Sequence, residues 1–241
     1  MQDLRFRESS TLARQLAADI AARMRKSIEL RGRVCIAVSG GSTPLAFFSA
    51  LSREVLPWDK VLITLADERW VDESHEASNA ALVRQHLLQN EAKKAYFLPL
   101  KNKAKDPVAG FMQCDNALHE QIIRLDYAVL GMGMDGHTAS WFPHSKALTQ
   151  ALNESTGARC CPVLDAPVMP QRMTLSWSFI AACRHVFLHF EGAEKNRVFE
   201  RAANAQDIHN LTEMPVRILL SQSSVPLTIY RSEGSDHAPA D

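Results

Sequence analysis

No apolar run in the sequence approaches the roughly 18 to 20 residues that a membrane-spanning helix needs, so no such helix is expected. Neither sign of charge is in excess: Lys plus Arg and Asp plus Glu each total 27. A general nucleic-acid binder usually carries a basic excess. The balance argues against that class and leaves room for a local cationic pocket that takes a small anion. Met1 to Arg7 is polar and charged, without the apolar stretch of an export signal. Cysteine is sparse, and Cys35, Cys114, Cys160, Cys161 and Cys183 form no Cys-x-x-Cys pair. An odd number of such residues reads as reduced thiols in a cytoplasmic protein. Internal repeats and low-complexity linkers are missing. So are the Gly-x-Ser-x-Gly elbow of a serine hydrolase, the Gly-Lys-Ser/Thr of a P-loop and any metal-ligand spacing. Neither metal nor cofactor is expected.

What is present is ordinary globular composition, 46% apolar and 22% charged over 241 residues. That length buries a core without disulfide or metal staples. Leu12, Leu16, Ile20 and Met24 are spaced for a long amphipathic helix, capped by Ser9 or Ser10 and ended by Gly32. Short apolar runs at Val34 to Val38, Val61 to Leu65 and Tyr127 to Leu130 read as buried strands. Further strands are expected near Arg159 to Val163, Arg172 to Ser176, His185 to Phe190 and Leu227 to Tyr230. Helices are expected over Leu45 to Leu51, from a Ser78 or Asn79 cap to about Leu88, over about Pro107 to Arg124, and over about Ala193 to Ala203. This alternation predicts one α/β domain over residues 1–233, a mostly parallel Rossmann-like sheet covered by helices on both faces. Residues 234–241 read as a disordered tail. Such sheets bind ligands at the carboxyl ends of their strands, and three polar or glycine-rich clusters sit at three such ends.

The first cluster is Gly40-Gly41-Ser42-Thr43-Pro44. Its glycines let backbone N–H groups approach a ligand. Pro44 suits the first helical position and Thr43 or Ser42 the cap, so the helix start favours an anion such as phosphate. The second is Asp67-Glu68-Arg69, where Arg69 can fork onto a phosphate or carboxylate. The third runs from Gly131 to Ser140. Gly131, Gly133 and Gly136 match the letter of a dinucleotide fingerprint, with Glu154 roughly twenty residues on. The match is set aside, because the loop follows two earlier units and carries Asp135 and His137 where a pyrophosphate needs open backbone. An Asp two residues before a His in a glycine-rich turn instead reads as an oriented base. His185 and His189 share a strand face without a third ligand and read as packing, as does Cys160-Cys161. Arg172 and Lys195 are candidate cationic anchors.

Taken in order, Ser39 to Pro44, Asp67 to Arg69, Ser78-Asn79 and Gly131 to Pro143 resemble the 6-phosphogluconolactonase family. The resemblance continues through Arg172-Met173-Thr174-Leu175 and Gly192-Ala193-Glu194-Lys195, and spans about residues 10–220. It departs at Met134, where the lactonases often have Pro, and at Leu227 to Tyr230, which lacks a common Trp and Asp. The resemblance implies the fold of the sugar-phosphate isomerases and deaminases. It implies hydrolysis of 6-phospho-D-glucono-1,5-lactone to 6-phosphogluconate, in the oxidative pentose phosphate pathway. His137 is then the expected general base, with Asp135 or Asp67 to orient it. Gly40, Gly41, Ser42, Thr43, Arg69, Arg172 and Lys195 are expected around the phosphate. The related deaminases typically carry Asp-Glu-Tyr where Arg69 ends the triplet here, and place an acid where this chain reads Ser140-Trp141-Phe142-Pro143. A deaminase–isomerase and a non-catalytic sugar-phosphate-binding regulator are the competing readings.

Overall fold

The runs VCIAV, VLITL, YAVL and HVFLHFE hold few or no polar side chains, so a strand made from any of them must be covered on both faces. In the computed structural model, which describes residues 1–234, they form the middle of a seven-stranded sheet. The strands in chain order are β1 (Gln2–Phe6), β2 (Val34–Val38), β3 (Val61–Leu65), β4 (Asp67–Arg69), β5 (Tyr96–Leu98), β6 (Tyr127–Leu130), β7 (Cys160–Val163), β8 (Arg172–Leu175), β9 (His185–Glu191) and β10 (Leu227–Ser232). The helices are α1 (Ser9–Arg31), α2 (Leu45–Leu51), α3 (Asn79–His86), α4 (Pro107–Gln121), α5 (Leu148–Ala151), α6 (Trp177–Ala181), α7 (Ala193–Ala202) and α8 (Arg217–Ser221).

The large sheet runs β1-β10-β9-β6-β2-β3-β5, and every neighbouring pair in it is parallel. From β2 the chain steps outward to β3 and β5, then returns to β2's other side as β6. The order therefore reverses between β2 and β6, the kind of crevice where open α/β sheets bind ligands. Ser39 N–H, just past β2, donates to Val129 O at 3.0 Å and ties the two strand ends together. The expected doubly covered parallel sheet is thus present.

The helices follow from their apolar stripes. Leu12, Leu16, Ile20 and Met24 of α1 are all fully buried, one above the next. The helix stops at Gly32, whose φ of 75° suits glycine and whose N–H returns to Ile28 O. Its start differs from expectation. Glu8 occupies the cap position without a side-chain bond, and the Ser9 hydroxyl instead donates to Gly234 O at 2.7 Å. Ser42 and Thr43 likewise do not cap α2, because Pro44 holds that position. Ser78 does cap α3, accepting from Ala81 N–H at 3.1 Å.

Three strands depart from the expected parallel arrangement. β4, β8 and β7 form a separate antiparallel sheet in that order, so Asp67-Glu68-Arg69 is a strand, not a loop. Its register sets Arg69 opposite Arg172 and Asp67 opposite Thr174. β1 and β5 were not anticipated, since both are short edges of the sheet. β1 alternates charged and apolar residues and is held by one buried guanidinium. Arg231, 3% exposed, donates to both oxygens of Asp3 at 2.9 and 2.7 Å and to Glu200 at 2.7 Å. The tail expected over 234–241 lies outside the described residues beyond Gly234.

Removing that anchor tests the edge. Replacing Arg231 with Ala should lower unfolding stability by about 2 kcal/mol, below the usual loss for a broken buried pair because Asp3 and Glu200 regain water. Urea unfolding monitored by circular dichroism measures it, and an unchanged midpoint would show that β1 is held by backbone pairing alone.

Candidate active site

Four strand ends meet in one cleft of about 250 Å³, room for a single small metabolite. The residues after β2, the β4 strand after β3, the loop after β6, and His189 of β9 with Lys195 of α7 all contribute to it. Gly40, Gly41, Ser42, Thr43, Asp67, Arg69, His137, Arg172 and Lys195 all line it. Asp135 lies beside it, in contact with His137. The dispersed residues expected to cooperate are therefore brought together.

The turn after β6 shows why its glycines are needed. A Cβ on Gly133 would lie 2.1 Å from His137 Cε1, so only glycine leaves room for the imidazole. Gly136 has a φ of 82°, which disfavours any side chain. The glycine spacing thus serves the histidine, and the dinucleotide reading stays excluded. His137 Nδ1 lies 2.5 Å from Asp135 Oδ1, and the His137 backbone N–H reaches the same oxygen at 3.1 Å. Burial pushes the Asp135 carboxyl up, but the bonds and charge of His137 outweigh it and hold it below the usual range. An ionised Asp135 accepts a hydrogen bond from His137 Nδ1–H, the tautomer that leaves a lone pair on Nε2. The ring rests on Phe142 with centroids 4.5 Å apart. Beyond it, Trp141 is fully buried, donates Nε1–H to Leu175 O and meets Trp177 edge-on, fixing the loop to the core.

Of the two carboxylates considered for orienting His137, Asp135 makes the contact. Asp67 is occupied elsewhere. It accepts the Ser140 hydroxyl at 2.5 Å, and Arg172 Nη1 lies 3.5 Å away. Asn79 Nδ2 donates to its backbone carbonyl. Asn79 also underlies the first loop, since a Cβ on Gly40 would fall 1.9 Å from Asn79 Oδ1.

Glu68 fastens this side of the cleft. Its buried carboxylate accepts N–H groups from Asn79 at 2.8 Å and Ala80 at 2.7 Å at the start of α3, and from Arg69 at 2.8 Å. Burial pushes it up to about 7, against the pull of those three donors. Arg69 and Arg172 face each other across the strand pair, an arrangement of like charges that costs stability unless an anion sits nearby. Arg69 gives Nη1–H to Ala77 O at 2.6 Å, while its Nε is buried without a partner. Arg172 is more fully committed than expected. Nε and Nη2 donate to Met169 O and Val168 O, and its guanidinium lies over Phe142 at 5.1 Å.

At the β9 end, Lys195 follows Gly192, whose φ of 95° turns the chain into α7. Its ammonium donates to Thr43 Oγ1 at 3.0 Å, which gives Thr43 a role other than capping. His189, read as packing, is buried and does pack against Phe47, but it also forms part of the cleft wall. The signal that could have found it was its place two residues before the carboxyl end of a buried strand. Among the described residues no group of three or more His, Cys, Asp or Glu is arranged to hold a metal ion.

Three comparisons bear on this cleft. A family model described as glucosamine-6-phosphate isomerases/6-phosphogluconolactonase matches residues 7–227. The 6-phosphogluconolactonase of Pseudomonas aeruginosa is 43% identical over 218 residues, 90% of this chain and 89% of its own. That of Pseudomonas putida is 40% identical over 223 residues, 92% of this chain and 89% of its own. The crystal structure of a 6-phosphogluconolactonase from Shewanella baltica superposes with a TM-score of 0.90 at 41% identity, covering 96% of this chain and 97% of that one.

Glu68 yields a pH prediction. Its native value of about 7 lies above the ordinary 4.5, so between those limits the folded protein keeps a proton that the unfolded chain has released. Its contribution to stability is therefore full below the lower limit and is lost as pH rises through the upper one. Urea unfolding across this window should show that decline in the native protein and a flatter profile in Glu68→Gln. Equal slopes would contradict the assignment.

Proposed function

The chain belongs to the glucosamine-6-phosphate isomerase/6-phosphogluconolactonase family, and from that premise we propose that this cleft hydrolyses 6-phospho-D-glucono-1,5-lactone to 6-phosphogluconate. The protein is a lactonase, a carboxylic-ester hydrolase of the oxidative pentose phosphate pathway. The observation that carries the assignment of roles is the Asp135–His137 contact, in a cleft that also holds Lys195, Arg69 and the Gly41-Ser42-Thr43 loop.

His137 Nε2 takes a proton from a water molecule as that water attacks the lactone carbonyl carbon. Asp135 stabilises the imidazolium that forms, through the bond to Nδ1. The tetrahedral intermediate collapses by breaking the bond from carbonyl carbon to ring oxygen, and the imidazolium returns its proton to that oxygen. One water is consumed and the ring opens to a hydroxyl and a carboxylic acid. Positioned acid–base catalysis of this kind contributes roughly 10²- to 10⁴-fold. Lys195, Thr43 and the Gly41-Ser42 backbone hold the phosphate, with Arg69 beside them. That remote binding orients the carbonyl toward His137. Asp67, fixed by Ser140 and Arg172, presents a carboxylate to the sugar hydroxyls.

The deaminase–isomerase reading fits less well. Its proton relay needs an acid after the histidine loop, and there this chain has Ser140 bonded to Asp67 and Trp141 and Phe142 buried in the core. The regulator reading leaves the Asp135–His137 pair without purpose.

The purified protein should open the lactone faster than it opens spontaneously, in a chelator-containing buffer, as read through coupled 6-phosphogluconate dehydrogenase. Replacing His137 with Ala should lower turnover at least about a hundredfold with product affinity unchanged, and Gly133→Ala should do the same by displacing the ring. Lys195→Ala and Arg69→Ala should chiefly raise KM. Normal turnover in the His137 variant would overturn the mechanism, and ammonia release from glucosamine 6-phosphate would favour the deaminase.

A further inference from the structure

The reaction as derived leaves one imidazole of the cleft wall, and the carboxylate behind it, without a task. His189 is 2% exposed, yet it forms part of the cleft wall. Its Nε2 lies 2.7 Å from Glu191 Oε1. Lys195, one turn away at the start of α7, reaches Thr43 across the same end of the cleft. Burial lowers the Lys195 ammonium, and the charge of Glu191 opposes that fall. Lys195 and His189 line this end of the cleft, and the Glu191 carboxylate stands behind His189, within reach of the Lys195 charge.

The carboxylate is out of place there. A dianionic phosphate is drawn to Lys195 and repelled by Glu191, and in a poorly solvated cleft both forces are strong. The imidazole bonded to Glu191 offers the remedy. Protonated, His189 donates Nε2–H to Glu191 and the two together carry no net charge, so Lys195 acts unopposed. We propose that His189 and Glu191 belong to the phosphate seat, and that seating a phosphate dianion draws one proton from solvent onto His189. The proton adds to a free ring nitrogen, no covalent bond of ligand or protein breaks, and the proton returns to solvent when the phosphate leaves. The proposal rests on the lactonase reading only for the identity of the sugar.

The surroundings single out this pair. On its own strand His189 faces Glu191. α7 supplies Lys195, α1 supplies Ser9, and α2 supplies Phe47, whose ring meets the imidazole edge-on at 6.3 Å. β10 sets Tyr230 in register beside it, with the Tyr230 hydroxyl donating to Asp19. β6 contributes Leu130, paired with Leu188. Asp67, Arg69, Arg172 and His137 line other parts of the same cleft.

Calorimetric titration with 6-phosphogluconate at about pH 8 tests this, because the phosphate group, with a second pKa of about 6, is already dianionic there. Buffers of differing ionisation enthalpy then count the protons the protein takes up. Native protein should take up a proton on binding, and its affinity should weaken up to tenfold per further pH unit. Inorganic phosphate should show the same uptake. His189→Gln should abolish it. Glu191→Gln should abolish it too and flatten affinity against pH, which keeps the test sound if the histidine variant folds poorly. Binding without uptake, or uptake that survives His189→Gln and so belongs to Lys195 or His137, would overturn the proposal. Uptake with inorganic phosphate but no binding of 6-phosphogluconate would support this inference and overturn the lactonase reading. Binding of neither would overturn both.

Discussion

The parallel pairing of β2 with β6 governs where this protein can do chemistry. β2 also pairs with β3, and β6 with β9, so the four strands β9, β6, β2 and β3 lie side by side. Adjacent strands sit about 4.8 Å apart, and three such spacings span about 14 Å, a little more than the length of a phosphorylated hexose. All four strands point the same way, so their carboxyl ends and the loops beyond them fall along one rim. That is why a histidine near residue 137 and a lysine near residue 195 border the space entered by a loop near residue 42. A different partner for β6 would scatter them, whatever their identities.

The cleft walls are built from buried polar groups, most of which have partners. Glu68 secures the start of α3 and the Arg69 backbone, and α3 in turn sets Asn79 against Gly40 and Asp67. Ser140 and Arg172 hold Asp67 from the opposite side. A polar group left unpaired in the interior costs free energy, and apart from Arg69 Nε and Asn79 Oδ1 these groups have partners that steady the walls before any ligand arrives. Rigid walls favour a mechanism in which the site contributes position and fixed charge. The two guanidinium groups registered across β4 and β8 fit this description as fixed positive charge beside the Asp67 carboxylate.

Much of this was legible in the sequence, and the exceptions have physical causes. β2, β3 and β6 were recognisable because strands covered on both faces are largely apolar, as VCIAV, VLITL and YAVL are. Gly41, Asp135 and His137 stood out because glycine and ionisable residues directly after such strands serve turns and ligands. β1 and β5 were not legible, because edge strands need bury only half their surface and their composition then resembles a loop. Asp67-Glu68-Arg69 read as a loop for the opposite reason: its charges are buried, and only tertiary partners that no local pattern encodes can satisfy them. Ser9 and Thr43 looked like caps because a hydroxyl beside a helix start usually is one, but each was drawn off by a partner distant in sequence, Gly234 and Lys195. His189 read as packing because a strand face cannot reveal which of its ends borders a cavity.

In the proposed reaction one metabolite spans the cleft, with its phosphate at Lys195 and Thr43 and its reacting carbon at His137. A crystal structure with 6-phosphogluconate bound tests this most directly. Phosphate oxygens are expected on the Lys195 ammonium and the Gly41-Ser42-Thr43 loop, with the C1 carboxylate about 3 Å from His137 Nε2. Phosphate seated against His137, or an imidazole turned out of the cleft with the ligand in place, would contradict it.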